Sequence, residues 1–183
     1  MTRYISILRG INVGGKRKIL MTDLKKLYGD LGFSNVVTYI QSGNVIFDVD
    51  SKESNTEIAD KIEKSISHTF GYDVPVIVRT VPELQQSFKS NPFLISQGVE
   101  IERLCLTFLK SSPSEEKLIN LVGLDFHPDK FEIIDKDVFI YYSGKSRDSK
   151  LTNNLFEKKL KVQATTRNWR TVSKLLELAK NNL

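Results

Sequence analysis

Residues 8–17, LRGINVGGKR, have the residue types and most of the spacing of a phosphate-binding loop. Gly10, Gly15 and Lys16 match the pattern G-x-x-x-x-G-K, and the apolar run before them predicts the strand that precedes such a loop. The pattern also requires a Ser or Thr after the lysine to hold Mg²⁺, and Arg17 occupies that position. The helical periodicity begins only near Met21, too late for a P-loop. The sequence therefore predicts that the chain is not a P-loop NTPase.

The same loop has the features of a simpler anion site. The pair Gly14-Gly15 predicts a turn with positive φ, and backbone amides around such a turn form a concave group of donors. Arg9, Lys16, Arg17 and Lys18 surround the pair with positive charge, and guanidinium groups match phosphate and carboxylate geometry.

Two further motifs contain polar residues of interest, QSGN at 41–44 and TTRNW at 165–169. Ser42 lacks the flanking glycines of a nucleophile elbow, which favours a turn. Thr165 or Thr166 is predicted to cap the closing helix, where free amides and Arg167 would attract an anion. The predicted ligand-binding residues are Arg9, Asn12, Gly14, Gly15, Lys16, Arg17, Gln41, Ser42, Asn44, Arg167, Asn168 and Trp169.

Neither a metal nor a cofactor is predicted. The two histidines, His68 and His127, have no partners at zinc-ligand spacing. Cys105 is the only cysteine of the 183 residues, which excludes an internal disulfide. Its position in the apolar stretch RLCLTFL predicts a buried thiol. No run approaches the roughly 20 apolar residues that span a membrane, so we expect a cytoplasmic protein without a membrane partner.

The charge is unevenly distributed along the chain. Residues 1–30 contain seven Lys/Arg and two Asp/Glu, and residues 145–183 contain ten and three. Residues 31–144 contain ten Lys/Arg and seventeen Asp/Glu. Basic ends around an acidic middle either form one basic face for phosphates or nucleic acid, or form ordinary solvated helix faces.

The hydrophobic periodicity and the turn residues predict the same order of elements twice. Each half reads β-α-β-β-α-β followed by a helix, which is the ferredoxin-like order. The fold class expected is α+β, with two duplicated ferredoxin-like halves, 1–90 and 102–183, a connector at 91–101 and antiparallel sheets. The elements are strands 3–9, 35–41, 44–49, 74–80, 103–109, 130–135, 137–143 and 162–166, and helices 21–32, 56–70, 81–88, 112–123, 149–160 and 168–182.

A ferredoxin-like sheet also raises the possibility of RNA binding by base stacking. Phe139, Tyr141 and Tyr142 alternate partly to one face of a predicted strand, but such aromatics also serve as core or cross-strand partners.

Residues 8–47, LRGINVGGKRKILMTDLKKLYGDLGFSNVVTYIQSGNVIF, resemble a bacterial family catalogued as domain of unknown function 1697. NPF at 91–93 and TTRNWRTVSKLLEL at 165–178 are similar to its later motifs. The resemblance implies a compact α+β fold with duplicated halves and implies no activity.

The leading hypothesis is a protein that binds an anionic ligand at a basic cleft. The ligand is a phosphate-bearing metabolite or a nucleic-acid backbone. Two alternatives stay open: an enzyme with an unrecognised site at the same cleft, and a scaffold or interaction module whose motifs only maintain the fold. The sequence favours a protein that is not an enzyme, and it does not indicate an oligomeric state.

Overall fold

The computed structural model of the protein describes residues 1–95 and 98–181. Ser96 and Gln97 of the predicted connector, and Asn182 of the predicted closing helix, lie outside the described residues. The chain divides into two compact units, one comprising Met1–Gln85 and Leu175–Leu183 and the other comprising Gln86–Lys174.

The first unit contains a four-stranded antiparallel sheet with the order β2-β3-β1-β4. Strand β4 is at an edge of this sheet, the position in which a proline such as the adjacent Pro75 is tolerated. The unit's elements are β1 (Thr2–Leu8), α1 (Met21–Asp30), β2 (Ser34–Tyr39), β3 (Asn44–Val49), α2 (Asn55–Phe70), β4 (Val76–Thr80) and the start of α3 (Val81–Lys89).

The second unit contains another four-stranded antiparallel sheet, with the order β6-β7-β5-β8. Its elements are β5 (Leu104–Leu109), α4 (Glu115–Leu118), β6 (Lys130–Ile134), β7 (Asp137–Tyr141), α5 (Asn153–Leu160), β8 (Ala164–Asn168) and the start of α6 (Trp169–Asn181). The described residues thus form an α+β fold with two antiparallel sheets and six α-helices, which confirms the predicted class.

The helices of the first unit begin and end where their sequences provide caps. In α1, Leu24, Leu27 and Tyr28 form the buried face. Gly32, with φ +83°, ends this helix in a Schellman motif, because its N–H donates to Gly29 O (2.9 Å) and the next N–H donates to Tyr28 O (3.1 Å). Helix α2 has a capping box at its start and a left-handed glycine at its end.

Strand β1 of the first unit is buried on both faces. On one face, the Tyr28 hydroxyl and Ser6 Oγ are 2.6 Å apart, so the buried phenol has a hydrogen-bond partner. On the other face, Arg3 Nε and Nη2 donate to the two carboxylate oxygens of Asp48 at 2.7 and 2.8 Å. This hydrogen-bonded ion pair holds the pKa of Asp48 below its usual value, although burial of the carboxyl opposes the shift.

The core of the second unit includes Leu109, Phe156 and Tyr142, whose hydroxyl donates to Leu151 O (3.0 Å). Cys105 is buried with them, as the sequence predicts, and burial raises the pKa of its thiol to about 11.

Two local predictions in the second unit are wrong. The predicted helix 112–123 is limited to α4 and a short 3₁₀ turn, and Ile119 and Val122 are exposed, so this segment has no continuous apolar face to bury. Thr165 and Thr166 do not cap the closing helix, because both lie in β8 and pair with β5. Asn168 caps it instead, and its Oδ1 accepts from Thr171 N at 2.8 Å.

The aromatic residues considered for base stacking are largely enclosed. Phe139 is completely buried and Tyr142 is 5% exposed. Tyr141 is half-buried and its ring lies 6.3 Å from that of Phe93. These contacts favour the packing interpretation of the three rings.

Candidate functional site

The predicted site residues fall into two groups, one in each unit. Nine of them, from Arg9 to Asn44, belong to the first unit, and Arg167, Asn168 and Trp169 belong to the second. Each group is described within its own unit.

Residues 12–17 of the first unit form a small hairpin, called here the glycine hairpin. Gly14 (φ +58°) and Gly15 (φ +74°) are its two central residues, which is the conformation of a type I′ turn. Lys16 N donates to Val13 O (3.0 Å) and Asn12 N donates to Arg17 O (3.2 Å). The prediction of a positive-φ turn at the glycine pair is confirmed.

The Asn12 side chain joins the glycine hairpin to two other segments. Its Nδ2 donates to Ile19 O and to Gln41 O, both at 2.9 Å, and its Oδ1 accepts from Ile19 N at 2.9 Å. Asn12 has φ +56°, a region that Asn tolerates better than most residues. Because these three bonds occupy the amide, Asn12 is a positioning residue for the loop.

The turn between β2 and β3 lies against the start of the loop that contains the glycine hairpin. Asn44 is buried, and its Nδ2 donates to Tyr39 O and Ser42 Oγ, both at 3.1 Å. Gly43 has φ +79°, and a Cβ there would lie 2.7 Å from Ile11 Cδ1 and 2.8 Å from Leu8 Cβ. Only glycine therefore allows this close approach of the turn to the start of the loop.

The loop cations differ in their surroundings. Lys16 and Lys18 are exposed and form no ion pair with any described residue. Arg17 is half-buried, and its Nη1 donates to Arg9 O at 3.3 Å. Lys16 therefore extends into solvent, whereas Arg17 is partly enclosed because its guanidinium folds back onto the loop backbone.

A cavity of about 320 Å³ adjoins the glycine hairpin within the first unit. Gly15, Lys18 and Gln41 line it on the loop side. Its other walls come from Leu20 and Asp23 at the start of α1 and from Phe70 at the end of α2. The connection between β1 and α1 thus brings Gly15 and Lys18 to the same cavity as the beginning of α1.

Sequence reasoning missed four of the residues that line this cavity: Ile19, Leu20, Asp23 and Phe70. Leu20 and Phe70 match the apolar composition of their helices, and Asp23 is typical of a helix first turn, so no local pattern separates them from structural residues. Fifty positions separate Leu20 from Phe70, and only the packing of α1 and α2 in the fold brings them together.

The second group has structural contacts within its unit. Arg167 is buried, its Nη1 donates to Thr166 O (2.9 Å) and Thr165 Oγ1 (3.2 Å), and burial lowers its pKa to about 10. Trp169 is 2% exposed and stacks on Phe88 with ring centroids 5.0 Å apart. Asn168 is exposed and uses its carboxamide oxygen as the helix cap described above.

The part of the chain that the structure describes brings together no three His, Cys, Asp or Glu side chains in a group suited to a metal ion. His68 and His127 are both exposed. None of the described helices is both long enough and apolar enough to cross a membrane.

The fold and the loop define a two-unit α+β protein whose first unit has a glycine-rich, basic connection between its first strand and first helix. Residues 1–139 match the family described as "Protein of unknown function (DUF1697)", and the chain belongs to this family.

The structure of the conserved bacterial protein SP0830 from Streptococcus pneumoniae is similar to this chain. The TM-score is 0.72 and the sequence identity 24%, over 97% of this chain and 98% of that chain. At this identity the similarity shows the fold alone. No curated protein matches the sequence significantly.

Proposed function

We propose that the first unit binds a phosphate-bearing ligand in the cavity beside the glycine hairpin. The observation that carries this proposal is that Lys18 lines the cavity together with Gly15 and has no ion-pair partner among the described residues. Lys16 is the immediate neighbour of Gly15 and is exposed as well. A phosphate group there gains charge-assisted hydrogen bonds from lysine ammonium groups.

Backbone donors add to this charge. The N–H groups of Gly14 and Gly15 make no hydrogen bond within the described part of the chain. Leu20 is the N-cap residue of α1 and its side chain accepts no hydrogen bond, so the first-turn amides of this helix have no side-chain cap. Both sets of donors lie at or next to residues that line the cavity, which supports an acceptor-rich ligand.

The experiment measures binding of inorganic pyrophosphate by isothermal titration calorimetry at low salt. Lys16→Ala/Lys18→Ala removes two positive charges from the site, and we expect the affinity to fall at least tenfold. The matched control is Lys25→Ala/Lys64→Ala, which removes two exposed lysines elsewhere in the same unit and should retain the affinity.

A single-stranded oligonucleotide without phosphate at either end forms a second arm. Tighter binding of the oligonucleotide than of pyrophosphate, with a steep decrease in salt, indicates a nucleic-acid backbone as the source of the phosphate. An equal loss in both double variants, or no binding of either probe by the unmodified protein, contradicts the proposal.

We also propose that the two units descend from one duplicated ferredoxin-like half, with the division 1–90 and 102–183. The identical order of elements in the two units supports this origin, as do the corresponding strand orders β2-β3-β1-β4 and β6-β7-β5-β8. An amide-exchange experiment that finds protected strands at matching positions of the two halves agrees with it, and unrelated protection patterns argue against it.

A further inference from the structure

We infer that the ligand of the cavity beside the glycine hairpin is a nucleoside monophosphate. This inference rests on the proposed phosphate site and assigns the organic part of the ligand. It is carried by four lining residues that a bare phosphate does not use: Leu20, Asp23, Gln41 and Phe70.

Asp23 gives the cavity a negative group opposite to the charge of Lys18. Its carboxylate is exposed and makes no hydrogen bond or ion pair with any described residue, Lys18 included. A carboxylate only accepts hydrogen bonds. Inorganic phosphate gains nothing from such a group and is repelled by it, whereas a ligand with hydroxyl or amino donors away from its phosphate satisfies both charges.

Gln41 provides a second polar group with donor and acceptor capacity. Its backbone oxygen is used by Asn12, but its exposed side-chain carboxamide has no partner within the described residues. A carboxamide forms paired hydrogen bonds with the edge of a nucleobase, as Asn and Gln do with adenine. The cavity therefore offers groups for a base edge in addition to those for a phosphate.

The apolar wall suits the face of a base. Leu20 is 69% exposed at a position where helices favour a polar cap, so local stability does not explain a large aliphatic side chain there. Phe70, the last residue of α2, is half-buried and keeps part of its surface in the cavity. Stacking on aromatic and apolar side chains is how proteins bind bases without strict sequence preference.

The size of the cavity favours a mononucleotide over larger ligands. Small-molecule sites typically enclose about 300–1,000 Å³, and this cavity of about 320 Å³ is at the lower end. A nucleoside monophosphate is matched to that volume, and a dinucleotide cofactor exceeds it.

The test compares adenosine, guanosine, cytidine and uridine monophosphates with ribose 5-phosphate and pyrophosphate by calorimetry. We expect at least one nucleoside monophosphate to bind tenfold or more tightly than ribose 5-phosphate. Asp23→Asn and Leu20→Ala should each lower that affinity about tenfold and leave the affinity for pyrophosphate unchanged or higher, since alanine introduces no side-chain cap that competes for the first-turn amides of α1. The matched control, Asp30→Asn, alters an exposed carboxylate on the same helix outside the cavity and should have no effect.

The outcomes separate the two proposals. Pyrophosphate binding without any gain from a base, or with Asp23→Asn and Leu20→Ala indistinguishable from the unmodified protein in nucleotide binding, overturns the nucleotide assignment and retains the phosphate site. If the unmodified protein binds neither pyrophosphate nor any of the nucleotides, the phosphate site and the nucleotide assignment are both overturned. Circular dichroism of each variant identifies a loss that comes from unfolding, and Leu20→Met, which keeps an apolar side chain, should retain nucleotide binding.

Discussion

The connection between β1 and α1 and the connection between β5 and α4 occupy the same place in the two sequences of elements, yet they differ in length and charge. The first spans residues 9–20 and the second only residues 110–114. Because five residues suffice to join a strand to a helix in the second unit, the longer first connection contains more chain than this topology needs.

The two connections also differ in composition. Residues 9–20, RGINVGGKRKIL, contain four cations, three glycines and no acid, whereas residues 110–114, KSSPS, contain one cation and no glycine. The short connection is tied to its unit by a bond from Lys110 N to Gln163 O (2.9 Å) and by the Ser112–Asp135 contact. The long connection thus contains glycines and cations that the equivalent connection of the second unit lacks, and this difference agrees with the proposed binding role, since loops often carry binding residues.

The largest effect on stability is expected for a substitution at the place where the β2–β3 turn contacts the long connection. Gly43→Ala places a methyl group within 2.8 Å of Leu8 and Ile11 at a left-handed φ, so we expect a loss of about 4 kcal/mol in the free energy of unfolding. Gly71→Ala is the control, since Gly71 has φ +72° but nothing within 4 Å, and it should cost only about 1 kcal/mol. Equal losses measured by urea unfolding would show that the close approach is unimportant.

The next effect concerns the side chain that holds the long connection in place. Asn12→Ala removes three hydrogen bonds and leaves alanine at φ +56°, so the first unit should lose about 2–3 kcal/mol in urea unfolding. Asn12→Gly removes the same bonds without the backbone strain and should cost less. A variant as stable as the unmodified protein would mean that the connection needs no such clamp.

The two units should also respond to opposite extremes of pH. Burial raises the pKa of Cys105 to about 11, so stability from its neutral thiol is complete below the unfolded pKa of 9.0 and is lost as the pH rises towards 11. We expect this contribution to be about 2 kcal/mol, measured as the stability difference between the unmodified protein and Cys105→Ala at pH 7.5 and 10.5. A difference that does not change with pH contradicts it.

In the first unit the pH dependence of stability has the opposite sign. The pKa of Asp48 is lowered by its hydrogen bonds from Arg3, so its contribution is present above the ordinary carboxyl value and is lost as the pH falls. The stability difference between the unmodified protein and Asp48→Asn should therefore shrink on acidification, and a constant difference from pH 7 to pH 3 would be inconsistent with this pair.

The smallest effect is expected for the exposed lysines of the long connection. Lys16→Ala/Lys18→Ala should change the free energy of unfolding by no more than about 0.5 kcal/mol, because neither side chain has an ion pair with a described residue. In the short connection, Lys110→Ala should have an equally small effect only if Lys110 is held by backbone bonds such as that from its N–H to Gln163 O, which the substitution keeps. A large loss of stability in the double variant would assign these cations a structural role.

Patterns of local spacing predicted the secondary structure well. The predicted helices 56–70 and 21–32 agree with α2 (Asn55–Phe70) and α1 (Met21–Asp30) to within two residues at each end. The pattern was less informative where tertiary pairing decides: residues 165–168 carry helix-cap residue types, but pairing with β5 extends β8 to Asn168. Cross-strand packing of this kind overrides local preference.

The candidate site was predictable only in part for the same reason. The glycine pair and the neighbouring lysines predict a basic turn with positive φ, because all of these residues lie within a few positions of one another. The role of Asn12 depends on Gln41, which is 29 positions away, and the cavity wall depends on Phe70 at the end of another helix. Long-range contacts of this type have no signature in a single sequence.

The first unit is completed by the far end of the chain, since Leu175–Leu183 belong to it and Arg3 Nη1 donates to Ala179 O at 3.3 Å. On the ribosome, the whole of the second unit is therefore synthesised before the first can be finished. Arg3 therefore gains its hydrogen bond to Ala179 O only after every residue of the second unit has been synthesised.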